Sequence, residues 1–146
     1  ATSPIQGNDA APAGPWKKRF LTGFLTNATN PKGIIFMVAV LPQFMTEGRP
    51  LAAVCHAPAI FKHTKGSDGT SLVSGRHVTG FTNTEEEAVG LTQIVPFRVE
   101  DMLKANGGIY EKGPDWGSYV VVDGKLVTGQ NPASSEAAAK ALLKLI

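Results

Sequence analysis

The sequence contains one cysteine, Cys55, among 146 residues. A single cysteine excludes an intramolecular disulfide framework and a zinc site built from cysteines, and it is typical of a reducing compartment. The histidines outside the Cys55 region, His63 and His77, lack the spacing of metal ligands, so no metal site is expected. No signal peptide is visible. We therefore expect a cytoplasmic protein.

Long apolar runs and an excess of charge are also lacking. The uninterrupted apolar piece from Ile34 to Leu41 is far below the roughly 20 residues that a membrane-spanning helix needs. The net charge is only +2, which gives no indication of a nucleic-acid partner. Hydrophobic residues make up 42% of the chain and charged residues 18%, which is typical of a globular protein that buries a core.

The segment around Cys55 predicts a strand, a sharp turn and a helix. Leu51 to Val54 is typical of a short buried strand, and Ala57 to Phe61 of a helix start with Pro58 in its first turn. A nucleophile at such a turn is the elbow arrangement of several hydrolytic folds. Backbone N–H groups at the helix start would lower the pKa of the thiol and could hold an oxyanion. The alternative is an unreactive, small buried side chain.

Four motifs follow one another over the last two-thirds of the chain. They are AVCHAPA (53–59), VTGFTNTEEE (78–87), GPDW (113–116) and VTGQNPASS (127–135). From about Arg49 to Ile146 the chain resembles the PfpI-like proteins of the DJ-one superfamily, which are relatives of class I glutamine amidotransferases. The likeness is closest to the branch of glutathione-independent glyoxalases and heat-shock chaperones. One departure is Ala57, because the family usually has glycine after the Cys-His pair.

The resemblance implies an α/β fold. We expect a partial flavodoxin-like, or class I glutamine amidotransferase-like, sandwich with a nucleophile elbow and a C-terminal hairpin plus helix. Asp123-Gly124 between two apolar runs predicts the hairpin. Further elements are predicted from local signals: a strand at 76–79, a helix capped by Asn83 or Thr84, a helix from Pro96 to Ala105, and a last helix capped by Ser134 or Ser135.

The resemblance also assigns a site and a reaction. Cys55 would be the nucleophile, His56 a proton relay and Glu86 the acid that orients the imidazole, in preference to its neighbours Glu85 and Glu87. Trp116 is a pocket residue by resemblance or, alternatively, a packed surface aromatic. The implied reaction converts a 2-oxoaldehyde such as methylglyoxal to a 2-hydroxy acid, without glutathione, metal or another cofactor. The residues expected to line the substrate pocket are Ala57, Asn83, Trp116 and Asn131.

Residues 1–48 differ from the rest of the chain. Residues 1–15 contain three prolines and two glycines and are expected to be a flexible leader. Residues 16–45 resemble a segment of lysine-exporter-type amino-acid efflux proteins, so we expect an atypical segment of different origin at 16–48, joined to a PfpI-like C-terminal portion at 49–146. Its apolar piece is either a buried sheet strand or a membrane remnant, and membrane contact through residues 16–45 stays open.

Three functions remain open at this stage. The first is a PfpI-like cysteine enzyme acting on a small aldehyde or amide substrate. The second is a chaperone-like binding protein with a non-catalytic cysteine, and the third is a membrane exporter fragment with a fused tail. The family's N-terminal half supplies several strands and a glutamate near the cysteine, and this chain lacks it. A second copy in a homodimer could cover the apolar face that this leaves.

Overall fold

The apolar segment from Ile34 to Leu41 is helical. The structure is a computed structural model that describes residues 31–146, with side chains from residue 39 onward. Helix α1 (Pro31–Thr46) contains the whole apolar run, so the buried strand, one of the two alternatives for this segment, is wrong. Composition did not distinguish the two states, because a short buried helix and a short buried strand can share the same apolar residues. The predictions for residues 1–15 and for residues 16–30 lie outside the described residues.

The end of α1 belongs to the hydrophobic core. Leu41 is buried in one cluster with residues from later in the chain, including Phe61 and Leu103, and Met45 packs against that cluster. Residues Ile35–Ile146 form one compact unit. Within 31–146, none of the helices has the length and the apolar character that crossing a membrane requires.

The rest of the described chain consists of short strands and short helices. In chain order these are β1 (Leu51–Val54), a 3₁₀ helix (Ala57–Lys62), β2 (His77–Val78), α2 (Asn83–Ala88), α3 (Val99–Ala105), β3 (Ile109–Tyr110), β4 (Val120–Asp123), β5 (Leu126–Gly129), a second 3₁₀ helix (Pro132–Ser134) and α4 (Ser135–Leu143).

A three-stranded sheet places Cys55 at the end of one of its strands. The order is β1-β5-β4, with β1 parallel to β5 and β4 antiparallel to β5. The β4–β5 hairpin turns at Asp123 and Gly124, where Gly124 has φ +58°, and this confirms the predicted hairpin. Helix α4 packs against β1 and β5. A second sheet pairs β2 and β3 in parallel.

Several element boundaries differ from the sequence predictions. Thr82, and not Asn83 or Thr84, caps α2, because its hydroxyl accepts the Glu85 N–H while the Glu85 side chain accepts the Thr82 N–H. Helix α3 begins at Val99, after the predicted start at Pro96. Ser134 stands at the N-cap of α4 but makes no capping hydrogen bond with its side chain.

Candidate active site

Cys55 occupies a strained turn between β1 and the first 3₁₀ helix. Its φ is +64°, a left-handed conformation that residues other than glycine seldom adopt. The Cys55 N–H donates to the Gly129 carbonyl at 2.9 Å, which extends the β1–β5 pairing, and the Phe81 N–H donates to the Cys55 carbonyl at 3.0 Å. Because its N–H and its carbonyl are both hydrogen-bonded, the strained conformation of Cys55 is held in place.

The thiol, a histidine and a carboxylate form a line of contacts. Sγ of Cys55 lies 3.2 Å from Nδ1 of His56, and Nε2 of His56 lies 2.8 Å from Oε2 of Glu86. A carboxylate accepts hydrogen bonds, so Nε2 carries the proton and Nδ1 is left to accept the proton of the thiol. Glu86 is 1% exposed and its other oxygen has no hydrogen-bond partner among the described residues.

The structure distinguishes three consecutive glutamates. Glu86 is the one that contacts His56, which is the pairing that sequence reasoning favoured. Glu85 is fully buried and faces another set of donors, and Glu87 is exposed. Because α2 begins at Asn83, successive residues point about 100° apart around the helix, and only one of the three can face the imidazole.

The thiol is not ionised near neutrality, contrary to the sequence prediction. Burial raises the pKa of the Cys55 thiol from 9.0 to about 12; the His56 backbone N–H lowers it, and the nearby charges of Glu85 and Glu86 raise it further. The prediction considered only the helix-start N–H groups. It missed burial, which is the largest cause, and the charge of Glu85, and it considered Glu86 only as the partner of His56. The resting pair is therefore a neutral thiol beside His56.

Two aromatic rings extend the site away from the sulfur. The His56 ring lies 4.3 Å from the Phe81 ring, tilted by 37°, and the Phe81 ring meets Trp116 edge-on at 5.8 Å. Such tilted and edge-on arrangements are favourable for aromatic pairs. Trp116 is 48% exposed, so its indole covers one side of the Phe81–His56 stack while it faces solvent.

The other predicted pocket residues differ in their surroundings. Ala57 is exposed at the start of the first 3₁₀ helix. The Asn83 side chain donates to Asp101 at 2.7 Å and thereby joins α2 to α3. Asn131 is fully buried and donates to Glu85 and to the Gly117 carbonyl. The side-chain hydrogen bonds of the two asparagines are thus with other helices and loops.

Sequence reasoning missed two residues of this site. Phe81 contacts His56 directly, and Glu85 joins α2 to the loops after β3 and β5. A usable signal existed for Glu85, because Thr82 followed three residues later by a glutamate is the pattern of a capping box. The two histidines outside the site, His63 and His77, are exposed. Across 31–146 no three histidine, cysteine or acidic residues are grouped to hold a metal.

The fold and the site define an α/β protein in which a cysteine at a strand–turn–helix elbow contacts a histidine that is bonded to a buried glutamate. The chain matches the sequence model of the DJ-1/PfpI family over residues 21–145, and it belongs to that family. The chain has the fold of this family, which is the flavodoxin-like, class I glutamine amidotransferase-like arrangement. The matched range includes most of residues 16–45, and the comparisons give no support to the resemblance of that segment to amino-acid exporters.

Several named proteins are similar to this chain in sequence or in structure. The chain is 39% identical over 107 residues to the glutathione-independent glyoxalase HSP31 of Saccharomyces cerevisiae, which covers 68% of this chain and 45% of that protein. Glyoxalase III of Candida albicans superposes with a TM-score of 0.74 at 29% identity, over 85% of this chain and 53% of that one. The Rapid Encystment Protein of Francisella tularensis superposes with a TM-score of 0.75 at 34% identity, over 84% and 53%. The chain therefore spans about half the length of these relatives.

Proposed function

We propose that this chain catalyses a glutathione-independent glyoxalase reaction on small 2-oxoaldehydes, or that it contributes the part of the enzyme that carries the reactive thiol. The observation that carries the proposal is the line of contacts from Sγ of Cys55 through His56 to Glu86. The relatives named as glyoxalases support the substrate class. The small-molecule substrate, the cytoplasmic location and a homodimeric assembly belong to the same proposal.

The neutral resting state of the Cys55 thiol determines how the reaction starts. As Sγ of Cys55 attacks the aldehyde carbon, the thiol proton passes to Nδ1 of His56, and Glu86 stabilises the imidazolium that forms. His56 then gives this proton to the aldehyde oxygen, which completes a hemithioacetal and leaves Nδ1 able to accept a proton again. Ionisation is thereby coupled to bond formation, and no free thiolate has to exist at neutral pH.

The remaining steps redistribute hydrogen within the substrate. The C–H bond at the former aldehyde carbon breaks, the neighbouring keto carbon gains a hydrogen, and the sulfur-bound carbon becomes a thioester. His56 is the base within reach of the sulfur that can move this proton. Water then hydrolyses the thioester, so one 2-oxoaldehyde and one water give one 2-hydroxy acid and the free thiol. The oxidation of one carbon balances the reduction of the other.

The experiment is lactate formation from methylglyoxal in the absence of glutathione. We expect turnover by the 146-residue chain and loss of at least about 100-fold in Cys55→Ala and His56→Ala. His63→Ala is the matched control, because His63 is an exposed histidine outside the site. Absence of lactate from the wild-type chain, or equal activity in Cys55→Ala, would contradict the proposal for this chain.

A chaperone-like function is the second candidate. Several large apolar side chains are about half exposed, and they could hold unfolded clients. Suppression of client aggregation, measured by light scattering, should then survive Cys55→Ala and fall when these positions are made polar. The side chains concerned are Val89, Ile94, Ile109 and Val122.

The domain division belongs to the proposals as well. We propose that residues 49–146 are the C-terminal portion of a PfpI-like domain, which the partial coverage of the relatives supports. The leader at 1–15 and the different origin of 16–48 stay predictions.

A further inference from the structure

Trp116 shares an unusual backbone conformation with the nucleophile. Among the described residues, Cys55 and Trp116 are the non-glycine positions with positive φ, at +64° and +63°. A left-handed conformation costs a non-glycine residue on the order of 1–3 kcal/mol, and it persists only where the surroundings impose it. The strain at Cys55 is accounted for by the elbow. The strain at Trp116 requires its own cause.

The cause is a set of buried hydrogen bonds around the loop Gly113–Gly117. The side chain of Gln130 accepts the Gly113 N–H at 2.9 Å and donates to the Pro114 carbonyl at 3.3 Å. The side chain of Asn131 donates to the Gly117 carbonyl at 2.7 Å. Both amides are fully buried, so the loop is fixed at its two ends by groups that have no water to exchange with.

The Glu85 side chain accepts hydrogen bonds from the middle of this loop and from both amides. Its Oε1 accepts the Trp116 N–H at 2.8 Å, the Gln130 amide at 3.1 Å and the Asn131 amide at 2.8 Å. Its Oε2 accepts the Thr82 N–H at 3.1 Å in the capping box of α2. The backbone partners of the two amides fix which of their ends are donors. All three groups around Oε1 are therefore donors, and an acceptor is required at that point.

The loop in turn places the indole beside the reacting pair. Trp116 meets Phe81 edge-on, and Phe81 packs on the ring of His56. We propose that Glu85 is a positioning residue for substrate binding, which acts by holding Trp116 so that its indole contacts the substituent on the keto carbon of the 2-oxoaldehyde. This inference rests on the proposed glyoxalase function. It adds a preference for 2-oxoaldehydes with an apolar or aromatic substituent, such as phenylglyoxal.

Glu85→Gln is the variant that isolates the effect on the loop. A glutamine can keep the α2 cap with its oxygen, because Gln also serves at this position of a capping box. Its NH₂ group then faces three donors, which removes the acceptor that holds Trp116. Glu87→Gln is the matched control, since Glu87 lies on the same helix, is exposed and undergoes the same loss of charge.

The first readout does not depend on activity. Trp16 and Trp116 are the two tryptophans, so Trp16→Phe leaves Trp116 as the sole fluorophore. In that background we expect Glu85→Gln to shift the emission to longer wavelength and to increase acrylamide quenching, whereas Glu87→Gln leaves both unchanged. Unchanged emission and quenching in a folded Glu85→Gln protein would overturn the positioning role, even if the chain proves to have no glyoxalase activity.

The second readout separates binding from turnover. The charge of Glu85 also raises the pKa of the Cys55 thiol, so KM and not kcat reports on the loop. We expect Glu85→Gln to raise KM about fivefold for phenylglyoxal, with a smaller rise for methylglyoxal. In a Trp116→Gly background, Glu85→Gln should add little, because the residue through which it acts is absent. Equal additional effects with and without Trp116 would overturn the inference.

Folding is checked by urea denaturation of every variant. If Glu85→Gln does not fold, Glu85→Asp replaces it, because a carboxylate shortened by one methylene cannot reach both the cap and the loop. Trp116→Gly alone keeps the substrate contact testable, since glycine adopts positive φ without strain. A KM for phenylglyoxal that Trp116→Gly leaves unchanged would rule out contact between the indole and the substrate.

Discussion

Nε2 of His56 lies 2.8 Å from Oε2 of Glu86, although the two residues are 30 positions apart in the chain. This contact joins the turn after β1 to the first turn of α2, and it is almost entirely excluded from water. The carboxylate therefore determines which nitrogen of His56 faces the sulfur. It also adds negative charge near a thiol that burial already keeps protonated.

The first prediction concerns Glu86→Gln. A glutamine can offer its NH₂ group to Nε2, which allows the other tautomer of His56, with a proton on Nδ1 facing the sulfur. Such an imidazole cannot accept the thiol proton, so we expect turnover of methylglyoxal to fall about 100-fold. Glu87→Gln is the control. Unchanged turnover in Glu86→Gln would show that His56 does not act as the base.

Glu86→Gln gives a second prediction, in which the reactivity of the thiol increases although turnover falls. The charge of Glu86 raises the pKa of the Cys55 thiol, so removing that charge should lower this pKa. We expect iodoacetamide to alkylate Glu86→Gln faster than the wild type at a given mildly alkaline pH. In the wild type, the rate should keep rising above about pH 9 and show no plateau near neutrality. A wild-type plateau below that pH would contradict the neutral resting thiol.

Local signals predicted the parts of the fold that depend on neighbouring residues. Asp123-Gly124 predicted the hairpin because a two-residue turn with positive φ is a local requirement. The strand Leu51–Val54 was predicted for the same reason, since turn signals bound a short apolar run. The helical state of Ile34–Leu41 was not predictable, because tertiary packing of residues such as Leu41 decides between two states with one composition.

The candidate site could also be predicted only in part from the sequence. Resemblance led to Cys55, His56 and Glu86, and the structure brings these three together. The pKa of the thiol was not predictable, because it depends mainly on burial of the side chain, which a motif does not show, and then on the charges of Glu85 and Glu86. The surroundings of Asn131 were missed for a related reason. Its position in a motif gives no information on whether its amide faces a ligand or a buried carboxylate.

The third prediction concerns the close packing behind Phe81. A Cβ at Gly80 would lie 2.7 Å from Cγ1 of Val99 and 3.2 Å from Cδ1 of Leu103. We expect Gly80→Ala to lower the free energy of unfolding by about 1–3 kcal/mol, as for other overpacked cores. In a Val99→Ala background the clashing methyl is gone, so the same substitution should cost clearly less. Urea denaturation measures both, and equal costs in the two backgrounds would contradict this packing.

The last prediction concerns stability at alkaline pH. The pKa of Cys55 is 9.0 when exposed and about 12 in the fold, mainly because of burial. Between these values the unfolded chain has lost a proton that the folded chain retains, so the free energy of unfolding falls as the pH rises. Burial also raises the pKa of Tyr110, which likewise lowers the free energy of unfolding as the pH rises.

Cys55→Ser is the control for this alkaline loss of stability, because serine does not ionise and Tyr110 is retained. The stability difference between wild type and Cys55→Ser, measured by urea denaturation, should be constant below about pH 9 and shift against the wild type above it. A difference that stays constant above this pH would show that the folded protein does not retain the thiol proton.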